Sequence, residues 1–341
     1  MANIAASWIQ IHPSYVEPGL LLQYNQASGA FETLATGNPL VKIGSEDLAV
    51  YMKRLDIRTT MAAGQAAYNQ LPSVNIVADM ASTPTYLQRV RAEYDHHDTA
   101  NLGQWGVSIV DAQRRGMRQG HFQLLRNSLL YGMNPANGEG LLNANGATTV
   151  SLPPDSNGND TVLTYDNGQM AFFLLSQLSA MKTRTMQLGL PQRFVILGPQ
   201  RVLGAFEYQN IVQLTQYQRA GAGSNSTAGL VKDVAGMNGD IVEWVYDDTL
   251  IDKGAGGTTD AVLIVMPEVK KPRGERINTN EFAEVEPGIE ACTLMYTDFA
   301  APVEIPTPLA GGAIDVLSEL RATPGWGVRP EAIAIVSMQY S

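Results

Sequence analysis

Apolar side chains recur with a helical period over residues 107–131, the strongest regular pattern in the chain. One stripe of the predicted helix carries Val110, Met117, Leu124, Leu125, Ser128 and Leu129. At 1.5 Å per residue the helix is roughly 35–40 Å long, whereas globular helices average about 11–12 residues. Gly132 follows as a candidate C-terminal cap. Arginines occupy the flanks of the stripe, at Arg114, Arg115, Arg118 and Arg126.

A second pattern, strict alternation, covers residues 86–95 and predicts a strand. One face carries Tyr86, Gln88, Val90, Ala92 and Tyr94, and the other carries Leu87, Arg89, Arg91, Glu93 and Asp95. The charged face is therefore expected to be half-exposed or to contact a partner. The run Val74-Asn75-Ile76-Val77-Ala78 is rich in β-branched residues, so the whole segment 74–100 is expected to be extended.

The remaining patterns alternate between helices and strands. Ser45-Glu46-Asp47 is plausible helix-start chemistry, so a short helix or mixed segment is expected within 46–70. Further helices are predicted near 166–188 and 200–208, and strands at 193–197, 241–246, 261–266, 291–296 and 332–338. Residues 210–239 are polar and glycine-rich and are expected to form a mobile loop. The order of elements indicates an α+β fold.

The first 45 residues show no sustained period. Aromatic side chains are scattered among Pro, Gly and Asn, at Trp8, Tyr15, Tyr24 and Phe31. Such a segment cannot bury its own apolar groups, so it is disordered or lies on another surface, and its apolar content favours the second.

Composition alone favours an ordinary soluble protein with long loops. Of 341 residues, 45% are hydrophobic and 16% are charged, with a net charge of −10. An acidic chain argues against binding nucleic acid through clustered Lys and Arg, although it leaves open a container whose wall repels packed DNA. No run approaches the roughly 20 apolar residues of a membrane span. The segment that begins Met1-Ala2-Asn3-Ile4 lacks the charged and apolar regions of a signal peptide, so we expect a soluble protein that is cytoplasmic when synthesised.

Candidate chemistry is sparse. The single cysteine, Cys292, lies in an apolar run and is expected to be buried. In Asp95-His96-His97-Asp98 the two histidines would point to opposite faces of a strand, so a solvated or interface-facing strand end is expected rather than a metal site. Glycine-rich segments at 221–223 and 254–257 match no phosphate-loop motif. The basic segment 270–276 is either a solvated charge run or a contact for DNA or an acidic neighbour. No catalytic, cofactor-binding or metal-binding residue is predicted.

The order of elements carries a resemblance. An aromatic-bearing arm and an extended two-strand excursion precede the long helix. Gly140-Leu141-Leu142-Asn143 forms a turn after it, and Arg329-Pro330 precedes a final strand. This order resembles the Hong Kong 97 fold of tailed-bacteriophage major capsid proteins. The resemblance implies an N-terminal arm at 1–48, an E-loop at 75–102, a P-domain at 49–74, 103–154 and 286–327, and an A-domain at 155–285 and 328–341.

The resemblance also implies a function. The chain would assemble with itself, through pentamers and hexamers, into an icosahedral head shell that holds double-stranded DNA without sequence specificity. Portal, scaffolding and decoration proteins are the other expected partners. No membrane association, enzymatic activity or cofactor is expected. The expected subunit-interface residues are Tyr86, Arg89, Arg91, Glu93, Tyr94 and Asp95. Two alternatives remain, an encapsulin-type nanocompartment shell and an α/β enzyme with an unrecognised site.

Some members of that family crosslink covalently through a lysine on the E-loop. The expected E-loop at 75–102 contains none, since the lysines are Lys42, Lys53, Lys182, Lys232, Lys253, Lys270 and Lys271. We therefore predict a shell held by non-covalent contacts.

Overall fold

The computed structural model describes residues 29–35, 40–59, 74–103, 108–155, 157–185, 190–208, 226–270 and 289–341. Its helices are α1 (His96–Gly103), α2 (Ile109–Tyr131), α3 (Asn167–Arg184), α4 (Gln200–Tyr208) and α5 (Thr227–Met237). The strands up to the middle of the chain are β1 (Leu40–Val41), β2 (Ala49–Thr59), β3 (Val74–Pro84), β4 (Tyr86–Tyr94), β5 (Thr148–Ser151), β6 (Arg193–Gly198), β7 (Ile241–Tyr246) and β8 (Asp260–Val265). They are followed by β9 (Glu268–Lys270), β10 (Ile289–Ala291), β11 (Thr293–Leu294), β12 (Tyr296–Thr297), β13 (Val303–Pro308), β14 (Ile314–Ala322), β15 (Trp326–Gly327) and β16 (Ile333–Met338).

The long helix α2 packs on a sheet centred on β14. That strand pairs antiparallel with β13 on one side and with all of β4 on the other, and β12 and β1 extend the sheet at one end. The hydroxyl of Ser108 begins the helix by accepting a hydrogen bond from Asp111 N, and Gly132 ends it. On the helix, Met117 is buried, and the His121 ring lies within hydrogen-bonding distance of Ser318 of β14.

A second sheet has the strand order β5-β16-β8-β6-β7, and its three central strands are buried on both faces. Alternation along its strands divides their apolar residues between two cores. Ile196, Ile264 and Val336 point towards the core that α3, α4 and α5 cover. Leu263 and Ile335, one position away in sequence, belong to the core that includes the end of α2. This burial on both faces explains why the strands at 193–197 and 332–338 are almost entirely apolar.

Glycines allow three backbones to meet at the end of α2. Gly325 donates from its N–H to Ser128 O at 3.0 Å, and its carbonyl accepts from Gly140 N at 2.9 Å. Gly140 has a φ of +83°, a left-handed conformation that favours glycine. A Cβ at Gly325 would lie 2.0 Å from the carbonyl oxygen of Leu129. The turn at 140–143 and the strand connection at 325 are thereby fixed to the helix.

Most predicted elements are confirmed, including the long helix, the helices near 166–188 and 200–208, and the strands at 86–94, 193–197 and 241–246. The expectation of a helix or mixed segment within 46–70 is wrong over Ala49–Thr59, which is a strand because it pairs along its whole length with β3. The loop expected at 210–239 contains helix α5, whereas 209–225 lies outside the described residues. The strand expected at 291–296 is broken into short pieces. Most of the basic segment 270–276 also lies outside the described residues.

Candidate assembly surface

Strands β2 and β3 form a long hairpin that pairs with no other described strand. Its eleven residue pairs run from Ala49 opposite Pro84 to Thr59 opposite Val74, a length of about 35 Å at about 3.3 Å per residue. Thr85 N donates to Leu48 O at its base at 3.0 Å. The two strands expected near 75–102 are therefore both present, but β3 pairs with β2 and β4 pairs with β14.

The base of the hairpin, where Ala49 pairs with Pro84, presents apolar side chains to solvent. Leu48 is 76% exposed and Tyr51 is 67% exposed. Met80, on the same face as Tyr51 because it pairs with Lys53, is 61% exposed. Large apolar side chains at such exposure, grouped on one projecting element, are typical of a surface that another molecule covers.

The alternation predicted for β4 is confirmed. Gln88 is buried beneath α2, whereas Leu87, Arg89, Arg91 and Glu93 are exposed on the opposite face. The charged side chains have partners within their own chain on that face. The guanidinium group of Arg89 lies 2.8 Å from Glu319, and that of Arg91 lies 2.8 Å from Asp315 and 3.3 Å from Glu93. Hydrogen bonding to Asp315 raises the pKa of Arg91.

Tyr86 and Glu139 connect β4 to the turn that follows α2. The Tyr86 hydroxyl donates to a carboxylate oxygen of Glu139 at 2.8 Å, and the other oxygen accepts from Asn134 N at 2.8 Å. Burial, together with the adjacent carboxylate, raises the pKa of Tyr86 to about 12. Glu139 is itself buried, so this contact stabilises the subunit.

Tyr94 and Asp95 lie at the other end of β4. Tyr94 lines a cavity of about 250 Å³ between α2 and the sheet, together with Met117 and Glu304. Asp95 begins α1, since its carboxylate accepts from Asp98 N at 2.8 Å, and the backbone hydrogen bond from Asp98 lowers its pKa. All six residues predicted for a subunit interface thus lie along β4 and its end; their contact with another subunit stays a prediction.

The histidines and the cysteine offer no obvious chemistry. His96 and His97 start helix α1 rather than ending a strand, so the expected strand-end geometry is wrong, and their rings lie 3.9 Å apart. Within the described ranges no group of His, Cys, Asp and Glu is placed to hold a metal ion. Cys292 is buried as predicted, and burial raises the pKa of its thiol to about 12. Among the helices of the described part, none has the length and apolarity needed to span a bilayer.

Comparison with known proteins identifies the fold through structure. No protein-family model matches the chain, and no curated protein is detectably similar in sequence. Solved structures match over nearly the whole length. The capsid of the Myoviridae phage XM1 aligns with a TM-score of 0.64 at 10% identity, covering 95% of this chain and 96% of that one.

Two further structures agree. The match to the Gordonia phage Cozz has a TM-score of 0.55 at 13% identity and covers 100% of this chain and 98% of that chain. The capsid of an empty GTA particle aligns at 0.53 and 10% identity, covering 97% and 95%. The chain therefore has the α+β fold of phage capsid proteins, the Hong Kong 97-like fold, as the order of its elements predicts.

Proposed function

We propose that this chain is the major capsid protein of a tailed bacteriophage and assembles with itself into the shell of the head. The observation that carries the proposal is the hairpin of β2 and β3, which projects from the subunit with Leu48 and Tyr51 exposed. The described part of the subunit leaves these groups in water. A neighbouring copy of the same chain would bury them, and repeated contacts of this kind close into rings and shells.

The division into parts follows from this proposal. We assign residues 1–48 to the arm and α2 with β4, β13 and β14 to the P-domain. The second sheet with α3, α4 and α5 forms the A-domain. We move the E-loop from the expected 75–102 to the hairpin between 49 and 84, because the observed pairing joins β2 to β3. The net charge of the whole chain, −10, suits a wall that encloses DNA without recognising the DNA sequence.

The subunit is proposed to act without catalysis, cofactor or membrane, in the virion after assembly in the host cytoplasm. Portal, scaffolding and decoration proteins are its further proposed partners. The protein should be expressed alone and, separately, with candidate scaffolding proteins, and its size measured by sedimentation velocity and negative-stain microscopy. Closed particles that enclose DNA when isolated from virions support the proposal. Particles that hold a protein cargo would instead indicate a nanocompartment.

A paired substitution tests the role of the hairpin. Leu48→Ser together with Tyr51→Ser should prevent closed particles while leaving the subunit folded by circular dichroism. Lys53→Gln is the matched control, because Lys53 lies on the same face as Tyr51 but is not apolar. Normal shells from the double variant would contradict the role given to this surface.

A further inference from the structure

Among the described residues, one edge of the sheet beneath α2 is open and the other is blocked by prolines. β13 forms one edge and contains Pro306 and Pro308, residues that prevent a further strand from pairing. β4 forms the other edge; its nine residues contain no proline, and within the described ranges it pairs only with β14. An edge strand of this length pairs readily with another chain unless it is covered.

The charges on the exposed face of β4 are arranged in an order that is complementary to itself. Arg89 and Arg91 are followed by Glu93 and Asp95. If two copies of the strand pair antiparallel about Ala92, Arg91 lies opposite Glu93 of the partner subunit. In the same register Arg89 lies opposite Asp95 of the partner subunit. The twofold axis repeats both pairs, so every charge faces its opposite, an arrangement that stabilises cross-strand neighbours.

Other registers lack this match. Pairing centred on Val90 would place Arg89 opposite Arg91 of the partner subunit, and like charges directly opposite each other are unfavourable. A shift by an odd number of residues would bring the charged face of one strand beside the opposite face of the other. The register about Ala92 pairs residues 90–94 of the two strands and places Arg89 opposite Asp95, the last residue before α1 begins at His96.

The existing contacts leave room for a partner. The side chains of Arg89, Arg91 and Glu93 remain 58%, 57% and 53% exposed despite their contacts within the chain. Gln113 donates to the Glu93 carbonyl at 3.2 Å, and a carbonyl oxygen accepts a second hydrogen bond.

We propose that the β4 strands of two subunits pair antiparallel about Ala92. This pairing joins the β13-β14-β4 sheet of one subunit to the same sheet of its neighbour. The inference rests on the proposed shell function, in which it supplies the contact between neighbouring capsomers. A twofold contact uses the same surface once on each subunit, whereas the contacts within a ring are head-to-tail. The partner is a second copy of this chain.

Engineered cysteines test the register. Arg91→Cys with Glu93→Cys places two cysteines opposite two others across the axis, at Cα separations of about 4.5–5.5 Å, within the range that disulfides span. Oxidised particles should then give a covalent dimer on a non-reducing gel. Leu87→Cys with Arg89→Cys is the control, with the same spacing and face but no cysteine opposite. Native Cys292 is buried.

The outcomes separate the two proposals. Closed shells without a dimer, or equal dimer in both variants, would overturn the β4 pairing and leave the shell function standing. A dimer specific to the Arg91→Cys, Glu93→Cys variant, from a protein that forms no shells, would support the β4 pairing and contradict the shell function.

Charge reversal gives a second measurement that does not depend on disulfide formation. Arg91→Glu alone places only acidic groups across the axis at 91 and 93, and Glu93→Arg alone places only basic ones. Each variant should lose shells, and their co-expression should restore them, because an acidic strand then meets a basic one. Loss of a contact within one subunit could not be rescued by a second chain. Failure of co-expression to rescue folded single variants would count against the pairing.

Discussion

Replacing Gly325 by alanine tests how the end of α2 is fixed to the fold. The added Cβ would lie 2.0 Å from the oxygen, 2.7 Å from the carbonyl carbon and 2.8 Å from the Cα of Leu129. Carbon atoms in contact normally lie about 3.5–4.0 Å apart. Because the three nearest atoms belong to the backbone of Leu129 in the last turn of α2, a side-chain rotation cannot relieve the overlap.

The expected cost follows from what must move. Separating the two backbones by more than about 1 Å breaks the hydrogen bonds from Gly325 N to Ser128 O and from Gly140 N to Gly325 O. Each contributes about 1 kcal/mol, and overpacking a buried site adds about 1–3 kcal/mol. We therefore expect Gly325→Ala to lower the free energy of unfolding by about 3–5 kcal/mol.

Urea unfolding of unassembled subunits, followed by circular dichroism, measures this loss. Gly116→Ala is the matched control, since Gly116 lies on the exposed side of the same helix with no atom within 4 Å of an added Cβ. The control should be neutral or more stable by up to about 1 kcal/mol, the difference in helix propensity. A Gly325→Ala variant within about 1 kcal/mol of the unchanged protein would refute the account of this junction.

Three further predictions concern single groups. Asp260→Asn should lower the free energy of unfolding, measured in urea, by about 2–3 kcal/mol. The Asp260 carboxylate is 1% exposed and accepts two hydrogen bonds from Arg201, at 2.7 and 2.5 Å. This loss is smaller than the usual cost of breaking a buried ion pair because Arg201 is itself 38% exposed. Equal stability would refute this estimate. Burial lowers the pKa of His121 below that of the unfolded chain, so stability should be complete above the unfolded pKa of about 6.5 and fall as pH drops through it towards the lowered folded pKa. His121→Gln should flatten that part of the pH profile, and an unchanged slope would show that another group causes it. Denaturing gels of intact particles should show one band near the chain mass of 36.8 kDa; Lys53 lies on the observed hairpin, so a ladder that Lys53→Arg abolishes would contradict the non-covalent shell.

The sequence predicts the elements whose pattern is set by burial on one or two faces. Helix α2 shows a long apolar stripe and β4 alternates strictly. Strands β6 and β16 are apolar except at Arg193 and Ser337, because both faces of these strands are covered. Their order is sufficient to indicate the fold, although no sequence relative supports it.

The local pattern of apolar and polar residues does not reveal which strands pair with each other. Helix-start chemistry precedes residues 49–59, and their register with 74–84 makes them a strand. The alternation of Tyr51 and Lys53 against Val50 and Met52 was a weak signal of that strand. His96 and His97 follow a strand but begin a helix because Asp95 and Asp98 cap its first turn.

The candidate surface was predicted in part. The charged face of β4 is visible in the sequence, but its partners Glu319 and Asp315 lie more than 200 positions away and are brought close only by the pairing of β4 with β14. The buried carboxylate of Glu139 could not be anticipated, because its partner Tyr86 comes from a distant strand.

Electron cryo-microscopy of the particles shows directly whether subunits form a shell through the hairpin. We expect a closed shell of fivefold and sixfold rings, in which the hairpin formed by β2 and β3 lies on a neighbouring subunit and buries Tyr51. A protein that remains a small oligomer under all assembly conditions, or a shell in which Tyr51 stays in solvent, would contradict it.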